Sequence, residues 1–165
     1  MSTARSTIPL LDVDQKSLHD LLQMNIDSRD GFAYAGERLA DKHSSLSMRF
    51  HRYSQQRNEF FEKLKEIGEM HHQEPVERGT MAASLHRTWM ELKDQLNEAI
   101  DASAVITEAM RGESYIKKSY ETAIENVAEP RLLALLKYQY ESVQESYSWL
   151  ADLQADEVRR KSNAN

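Results

Sequence analysis

Apolar side chains recur at alternating steps of three and four residues along this chain, and that spacing limits the fold more than any other feature. It places those side chains on one face of an α-helix, as in helices that pack side by side with a left-handed twist. We therefore predict an all-α protein. The clearest seams, in the second, fourth and fifth predicted helices, are Leu46, Phe50, Tyr53, Arg57, Phe60, Leu64, Ile67 and His71; Ile106, Ala109, Glu113, Ile116, Tyr120, Ala123 and Val127; and Leu133, Leu136, Tyr140, Val143, Tyr147 and Leu150.

Residues that break helices are scarce, since the chain has 5 Gly and 3 Pro among its 165 residues. Their positions divide the chain into five predicted helices. The first should start after Pro9, with Asp12 or Asp14 as its N-cap, and end near Asp41. The others are expected at about 44–72 and 80–100, from a cap within residues 101–103 to about 127, and from Pro130 to about 160. We assign residues 13–160 to a single domain, after an N-terminal extension over 1–12 and before a polar tail over 161–165.

The third predicted helix has a shorter seam and is expected to connect two pairs of helices. At about 1.5 Å per residue it spans roughly 30 Å, close to the length of its neighbours. The turn near Lys42 and His43 is short, which forces the first two helices into an antiparallel hairpin. The predicted architecture is a ferritin-like four-helix bundle of two helical hairpins joined by a helical crossover.

Charge and composition exclude several classes of function. The net charge is -6, and the basic residues are scattered among acidic ones, which argues against nucleic acid as a partner. The chain has no Cys, so a disulfide, a thiolate metal site and a Cys nucleophile are all excluded. No apolar run is long enough to span a bilayer, and the first residues lack the apolar core of a signal peptide. We expect a cytoplasmic protein with no membrane partner.

Polar residues interrupt the seams near the middle of the predicted helices. In the first helix, Asn25 and Arg29 stand between two apolar ends of the seam. Counting residues from the helix ends brings polar groups of four helices within roughly one to two turns of the same height. Because an unpaired buried charge is costly, Arg57 and Glu113 should pair with each other or with Asp30, Glu37 or Tyr147, unless water enters. Our hypothesis is an Arg57–Glu113 ion pair, with Tyr147 nearby, where a ferritin-like protein would hold metals. The predicted central polar cluster comprises Arg29, Asp30, Arg57, Glu113 and Tyr147.

Several short motifs together resemble an uncharacterised family of bacterial ferritin-like four-helix-bundle proteins. They are Arg29-Asp30-Gly31 with Glu37, Gln56-Arg57 with Phe60 and Leu64, Gly68, His86-Arg87-x-Trp89-Met90-x-Leu92-Lys93, Arg111-Gly112-Glu113, Tyr120 and Gln139, within about residues 15–155. The resemblance implies the fold and a cytoplasmic, stress-related context, but no established activity. The chain departs from the family pattern at Met110, where a Glu is common, and at Tyr147, where a His is common. Both departures remove potential metal ligands.

A di-iron centre would need a Glu from each of two helices and a Glu-x-x-His motif from each of the other two. The second and fifth helices offer Glu62-x-x-Lys65 and Glu141-x-x-Gln144, without His. The one Glu-x-x-His, Glu69 to His72, lies at a helix end, which is a poor place for a preorganised site. If the chain does bind iron or another divalent metal, the expected ligands are Glu37, Glu62 and Glu113.

The resemblance also draws attention to Glu37, His86, Arg87, Trp89 and Tyr120. We expect Trp89 to pack the crossover onto a hairpin and His86 to lie at its flank, both in structural roles. No residue is assigned a catalytic role. Two functional classes remain: a non-catalytic protein that acts through homo-oligomerisation or association with another protein, which we favour, and a ferritin-like metal protein handling iron or peroxide.

Overall fold

A computed structural model describes residues 9–71, 80–95 and 101–165 of the chain. These residues form five α-helices, which confirms the predicted all-α class: α1 (Asp12–Leu39), α2 (Ser44–Met70), α3 (Thr80–Gln95), α4 (Ala102–Asn126) and α5 (Pro130–Asn163). The predicted end of the third helix near residue 100, and His72 of the Glu-x-x-His motif, lie outside the described residues. Part of the predicted polar tail is helical, because α5 continues to Asn163.

The helix ends follow local sequence signals in two places and depart from them in one. Asp101 caps α4 by accepting a hydrogen bond from the Ser103 amide at 3.0 Å, and Pro130 opens α5, both as expected. The predicted N-cap of α1 is wrong, because Leu11 occupies that position without a side-chain cap.

Both carboxylate oxygens of Asp14 bind the turn between α4 and α5, which explains why Asp14 does not cap its own helix. Its side chain is buried, and its two carboxylate oxygens accept hydrogen bonds from the amides of Ala128 and Glu129 at 3.0 and 2.9 Å. Asp14 therefore anchors the turn between α4 and α5 to the first turn of α1.

Hydrogen bonds between helices fix their directions. Ser47 Oγ donates to the Gly36 carbonyl, and Ser54 Oγ donates to the Arg29 carbonyl, so α1 and α2 run antiparallel as predicted. Tyr120 OH donates to Gln139 Oε1 and Lys161 Nζ donates to Ser103 Oγ, so α4 and α5 are antiparallel as well. α1 also packs against α4, and α2 against α5, and buried apolar residues of all five helices form one core.

Helix α3 packs on the outside of α1 and α4. His86 contacts Asp27, and Tyr34 donates to the carbonyl of Lys93, so positions advance together along α1 and α3 and the two helices are parallel. α3 thus runs opposite to α2 and α4, between which it lies in the chain. Among the described helices, none has the length and apolarity needed to cross a membrane.

At mid-height, the buried face of α1 passes through Ser28 and not through the predicted Arg29. Ser28 is completely buried, whereas the side chain of Arg29 is 33% exposed. The buried residues of α1 repeat at Leu21, Asn25, Ser28 and Phe32, which is the same alternation of four and three.

The α5 seam also differs from the prediction, at alternate positions. The structure buries Leu132, Gln139 and Ser146 where the apolar pattern favoured Leu133, Tyr140 and Tyr147. The tyrosines lie half-buried at the flank instead. Of the displaced positions, Gln139 and Ser146 are polar, and they lie at the height of the polar part of the core that is described below.

Candidate functional site

The middle of the core contains a polar layer with one residue from each of α1, α2, α4 and α5. We call Ser28, Arg57, Glu113 and Ser146 the ion-pair layer; all four are 0% exposed. The height of Ser28 follows from its neighbour Arg29, which contacts Ser54 and Asn58 in α2. These two residues lie on either side of Arg57 in the sequence.

The predicted ion pair between Arg57 and Glu113 is present in this layer. Arg57 Nη2 donates to Glu113 Oε2 at 2.6 Å and to Ser146 Oγ at 2.8 Å. Ser146 Oγ also lies 2.5 Å from Glu113 Oε2. Arg57 Nη1 donates to Gln56 Oε1, and the guanidinium carbon lies 5.5 Å from the centre of the Phe60 ring. α2, α4 and α5 are therefore joined by charge-assisted hydrogen bonds inside the core.

The ion pair is formed by Arg57 Nη2 and Glu113 Oε2, and one further polar atom of each side chain has no partner among the described residues. Arg57 Nε and Glu113 Oε1 are buried and make no hydrogen bond to a described residue. The same holds for Ser28 Oγ in this layer. A fully buried ion pair costs desolvation energy, so its net contribution depends on how completely its hydrogen bonds are satisfied.

A second polar layer lies one turn away and is almost fully satisfied by protein atoms. Asn25 Nδ2 donates to Tyr120 OH at 2.9 Å, and Tyr120 OH donates to Gln139 Oε1 at 2.8 Å. Gln139 Nε2 donates to the Phe60 carbonyl at 3.3 Å. Burial raises the pKa of Tyr120 well above its usual value, so its hydroxyl stays protonated and acts as the central donor and acceptor of this layer.

Three members of the predicted central cluster lie outside these layers. Arg29 Nε pairs with Asp30 at 2.8 Å and its Nη1 donates to Asn58, and Asp30 is 64% exposed. Tyr147 is half-buried, and its ring lies beneath Lys117 Nζ at 5.2 Å. Their side chains point to the surface because each is one position away from the buried seam.

The three carboxylates proposed as metal ligands are not brought together. Glu37 and Glu62 are exposed, and Glu113 is buried against Arg57. Glu37 lies beside the turn between α1 and α2, whereas Glu62 is about 27 Å farther along the axis of α2. In the described part of the chain, no group of three or more His, Asp or Glu side chains is arranged to hold a metal ion.

Helix α3 is held by a tryptophan and a histidine. Trp89 is 6% exposed and packs against Phe32 with ring centres 5.2 Å apart. A Cβ at Gly31 would overlap its indole ring, and one at Gly112 would lie 3.4 Å from its Nε1. The two glycines therefore form a slot on α1 and α4 that receives Trp89.

His86 and Arg87 flank this tryptophan on α3. His86 Nδ1 lies 2.9 Å from Asp27 Oδ1. Both residues line a cavity of about 180 Å³ between α1 and α3. Arg87 is exposed and donates to Ser84 within its own helix. His86 thus has the flanking, hydrogen-bonded position that the sequence predicted.

Comparison with protein families identifies residues 14–126 as a domain of unknown function, DUF2383. The chain belongs to the DUF2383 family. The match covers α1 to α4 and ends at Asn126, before α5. No curated protein and no solved structure matches the chain.

Residues from three separate stretches inside the DUF2383 match lie close together in the fold. Gly31, Trp89 and Gly112, each from a different motif, meet at the slot that holds α3. Glu113, which follows Gly112, turns into the core toward Arg57. Of the residues to which the resemblance drew attention, Trp89 and Tyr120 are core residues, whereas Glu37 is exposed near the end of α1.

Sequence reasoning missed Ser28 and Ser146, which complete the ion-pair layer. Ser146 precedes the predicted Tyr147, and Ser28 precedes the predicted Arg29. A signal was present in the sequence: both serines continue the steps of three and four from firmly apolar neighbours, Phe32 for Ser28 and Val143 and Leu150 for Ser146. Arg29 and Tyr147 fit the same steps, because each is also four residues from one seam neighbour and three from another, so the spacing does not separate them from the serines.

Proposed function

We propose that this chain is a ferritin-like four-helix bundle with α3 as its helical crossover, and that it is non-catalytic and acts by association. The observation that carries the proposal is the buried pair of Arg57 and Glu113 at mid-height of the core. In ferritin-like proteins, facing helices hold metals at that position with inward carboxylates. Here the guanidinium supplies the positive charge that a metal would supply, and Glu113 is committed to it.

The arrangement of polar atoms supports a structural role for this centre. Arg57, Glu113 and Ser146 bond to one another, and all are completely inaccessible to solvent. A substrate would have no approach to these groups without separation of the helices. The centre therefore fixes the register of α2, α4 and α5 in the way that buried polar residues specify helix pairing.

The association part of the proposal rests on the outer face of α3. Met90 is 46% exposed there, between the charged and exposed Arg87 and Glu91. An apolar side chain inside a charged rim is a common composition for a contact between copies of one chain. We propose a homo-oligomer in the cytoplasm, in the stress-related context that the family resemblance implies.

Size-exclusion chromatography with light scattering tests the association. We expect an oligomer at micromolar concentration that Met90→Glu converts to a monomer. Met48→Glu is the matched control, because Met48 is 67% exposed on α2, away from α3. A wild-type monomer would refute association, and equal behaviour of the two variants would refute the role of α3.

Metal analysis of protein purified without a histidine tag separates this proposal from its alternative. We expect no stoichiometric iron, and no iron-dependent absorbance in the near-ultraviolet on titration. Tightly bound iron in the wild-type protein would favour the alternative, a ferritin-like metal protein that handles iron or peroxide, and would refute the assignment of Arg57 as the substitute charge.

A further inference from the structure

Four polar atoms at the centre of the core have no hydrogen-bond partner among the described residues. They are Ser28 Oγ, Arg57 Nε, Glu113 Oε1 and Asn25 Oδ1. All four residues are 0% exposed. Two of these atoms belong to the ion pair itself, and the other two lie one turn apart on the same face of α1.

Leaving such atoms unpaired in a core is costly, and folded proteins rarely do so. A buried donor or acceptor that lacks a partner loses its hydrogen bonds to water without replacing them, and the loss is greater for a charged group. Buried polar groups without a protein partner are commonly bonded to an enclosed water, which typically makes about three hydrogen bonds.

The chemistry of the four atoms selects the kind of molecule that could serve them. Arg57 Nε can only donate, whereas Glu113 Oε1 and Asn25 Oδ1 can only accept. A cation would be repelled by the guanidinium and an anion by the carboxylate. An apolar molecule would satisfy none of them. The site therefore suits a small neutral molecule that both donates and accepts hydrogen bonds.

We propose that the ion-pair layer contains a specific internal water site, formed by Ser28, Arg57 and Glu113. The water accepts from Arg57 Nε, donates to Glu113 Oε1, and bonds with the Ser28 hydroxyl. Asn25 Oδ1 is the acceptor for its second hydrogen. This water connects α1 to the ion pair, which by direct bonds joins only α2, α4 and α5.

The variant Ser28→Ala tests the site through the sign of its effect. If the hydroxyl is unpaired, its removal relieves a buried unpaired group and adds a better helix former, so the denaturation midpoint should rise. If the hydroxyl holds the water, the midpoint should fall. We expect a fall. A midpoint that is unchanged or raised would overturn the proposal.

Ser54→Ala is the matched control, because Ser54 Oγ has a protein partner, the Arg29 carbonyl at 2.8 Å. It should lower the midpoint in either case and so calibrates the loss of one serine hydrogen bond. If Ser54→Ala lowers the midpoint and Ser28→Ala does not, the water site is refuted.

A direct measurement on the wild-type protein is independent of any variant. In nitrogen-labelled protein, the Arg57 Nε–H signal should show a cross-peak to water whose sign reports a long-lived bound molecule. The Tyr120 hydroxyl is the internal control, because its partners are both protein atoms. A scalar coupling from Arg57 Nε–H directly to the Glu113 carboxylate, without a water cross-peak, would overturn the proposal.

Discussion

Replacing both members of the central ion pair should be far less harmful than replacing either one. Arg57→Met leaves the Glu113 carboxylate at 0% exposure with the Ser146 hydroxyl as its remaining direct partner. Loss of one partner of a buried pair typically costs about 3–5 kcal/mol of unfolding free energy. Glu113→Leu leaves the Arg57 guanidinium buried and should cost about the same.

The double variant Arg57→Met/Glu113→Leu removes both charges and fills their space with apolar side chains. Ser146 is not left unpaired, because its hydroxyl lies 3.0 Å from the Val143 carbonyl and can donate there. We therefore expect the double variant to lie within about 2 kcal/mol of the wild type, whereas additive losses would total about 6–10 kcal/mol.

Urea unfolding followed by far-ultraviolet circular dichroism measures this double-mutant cycle. The matched control is the surface pair of Lys63 and Glu66, whose side chains are 63% and 56% exposed and 3.5 Å apart. Their coupling should be below about 1 kcal/mol. Additive losses at Arg57 and Glu113 would refute the reasoning that each charge is retained chiefly to neutralise the other.

Three further predictions concern α3 and the second polar layer. Trp89→Ala should lower the unfolding free energy by about 3–5 kcal/mol because the indole is buried, whereas His86→Ala, at a partly exposed side chain, should cost about 1 kcal/mol; equal small losses in urea unfolding would show that α3 is peripheral. Gly31→Ala should destabilise by about 1–3 kcal/mol despite the better helix propensity of Ala, because its Cβ would overlap Trp89. Gly112→Ala should change stability by less than about 1 kcal/mol. Similar thermal midpoints for the two variants would refute the slot. Because burial raises the pKa of Tyr120, the unfolded state loses this proton first, so stability should fall as the pH rises above about 10; Tyr120→Phe should weaken that dependence, and an unchanged alkaline slope would contradict it.

The helices themselves could be read from the sequence, because local signals determine where a helix can exist. Scarce glycine and proline, the Asp101 cap and Pro130 at the start of α5 are all effective within one turn of the chain. The antiparallel pairing of α1 with α2 also follows locally, from a turn too short for any other arrangement. An ion pair between Arg57 and Glu113 could be predicted from the sequence, because either charge alone is costly to bury in a core.

Asp14 shows where local signals stop being sufficient. Its position at the start of α1 is ideal for a cap, yet its carboxylate binds the amides of Ala128 and Glu129, more than a hundred positions away in the chain. The amides of Ala128 and Glu129 need an acceptor, as do the first amides of α1. Only the packing of α1 against α4 brings the amides of the turn within hydrogen-bonding distance of Asp14.

The amino-acid sequence by itself determined an all-α chain, the ends of α1, α2, α4 and α5 to within a few residues, and the need for a partner to each seam charge. Only the tertiary structure decided which side of each seam is innermost. On α5 it placed Gln139 and Ser146 inside and left Tyr140 and Tyr147 at the flank. The physical reason is that periodicity defines a helix face to within one residue, whereas hydrogen bonds with Glu113 and Tyr120 on another helix select the residue within that face.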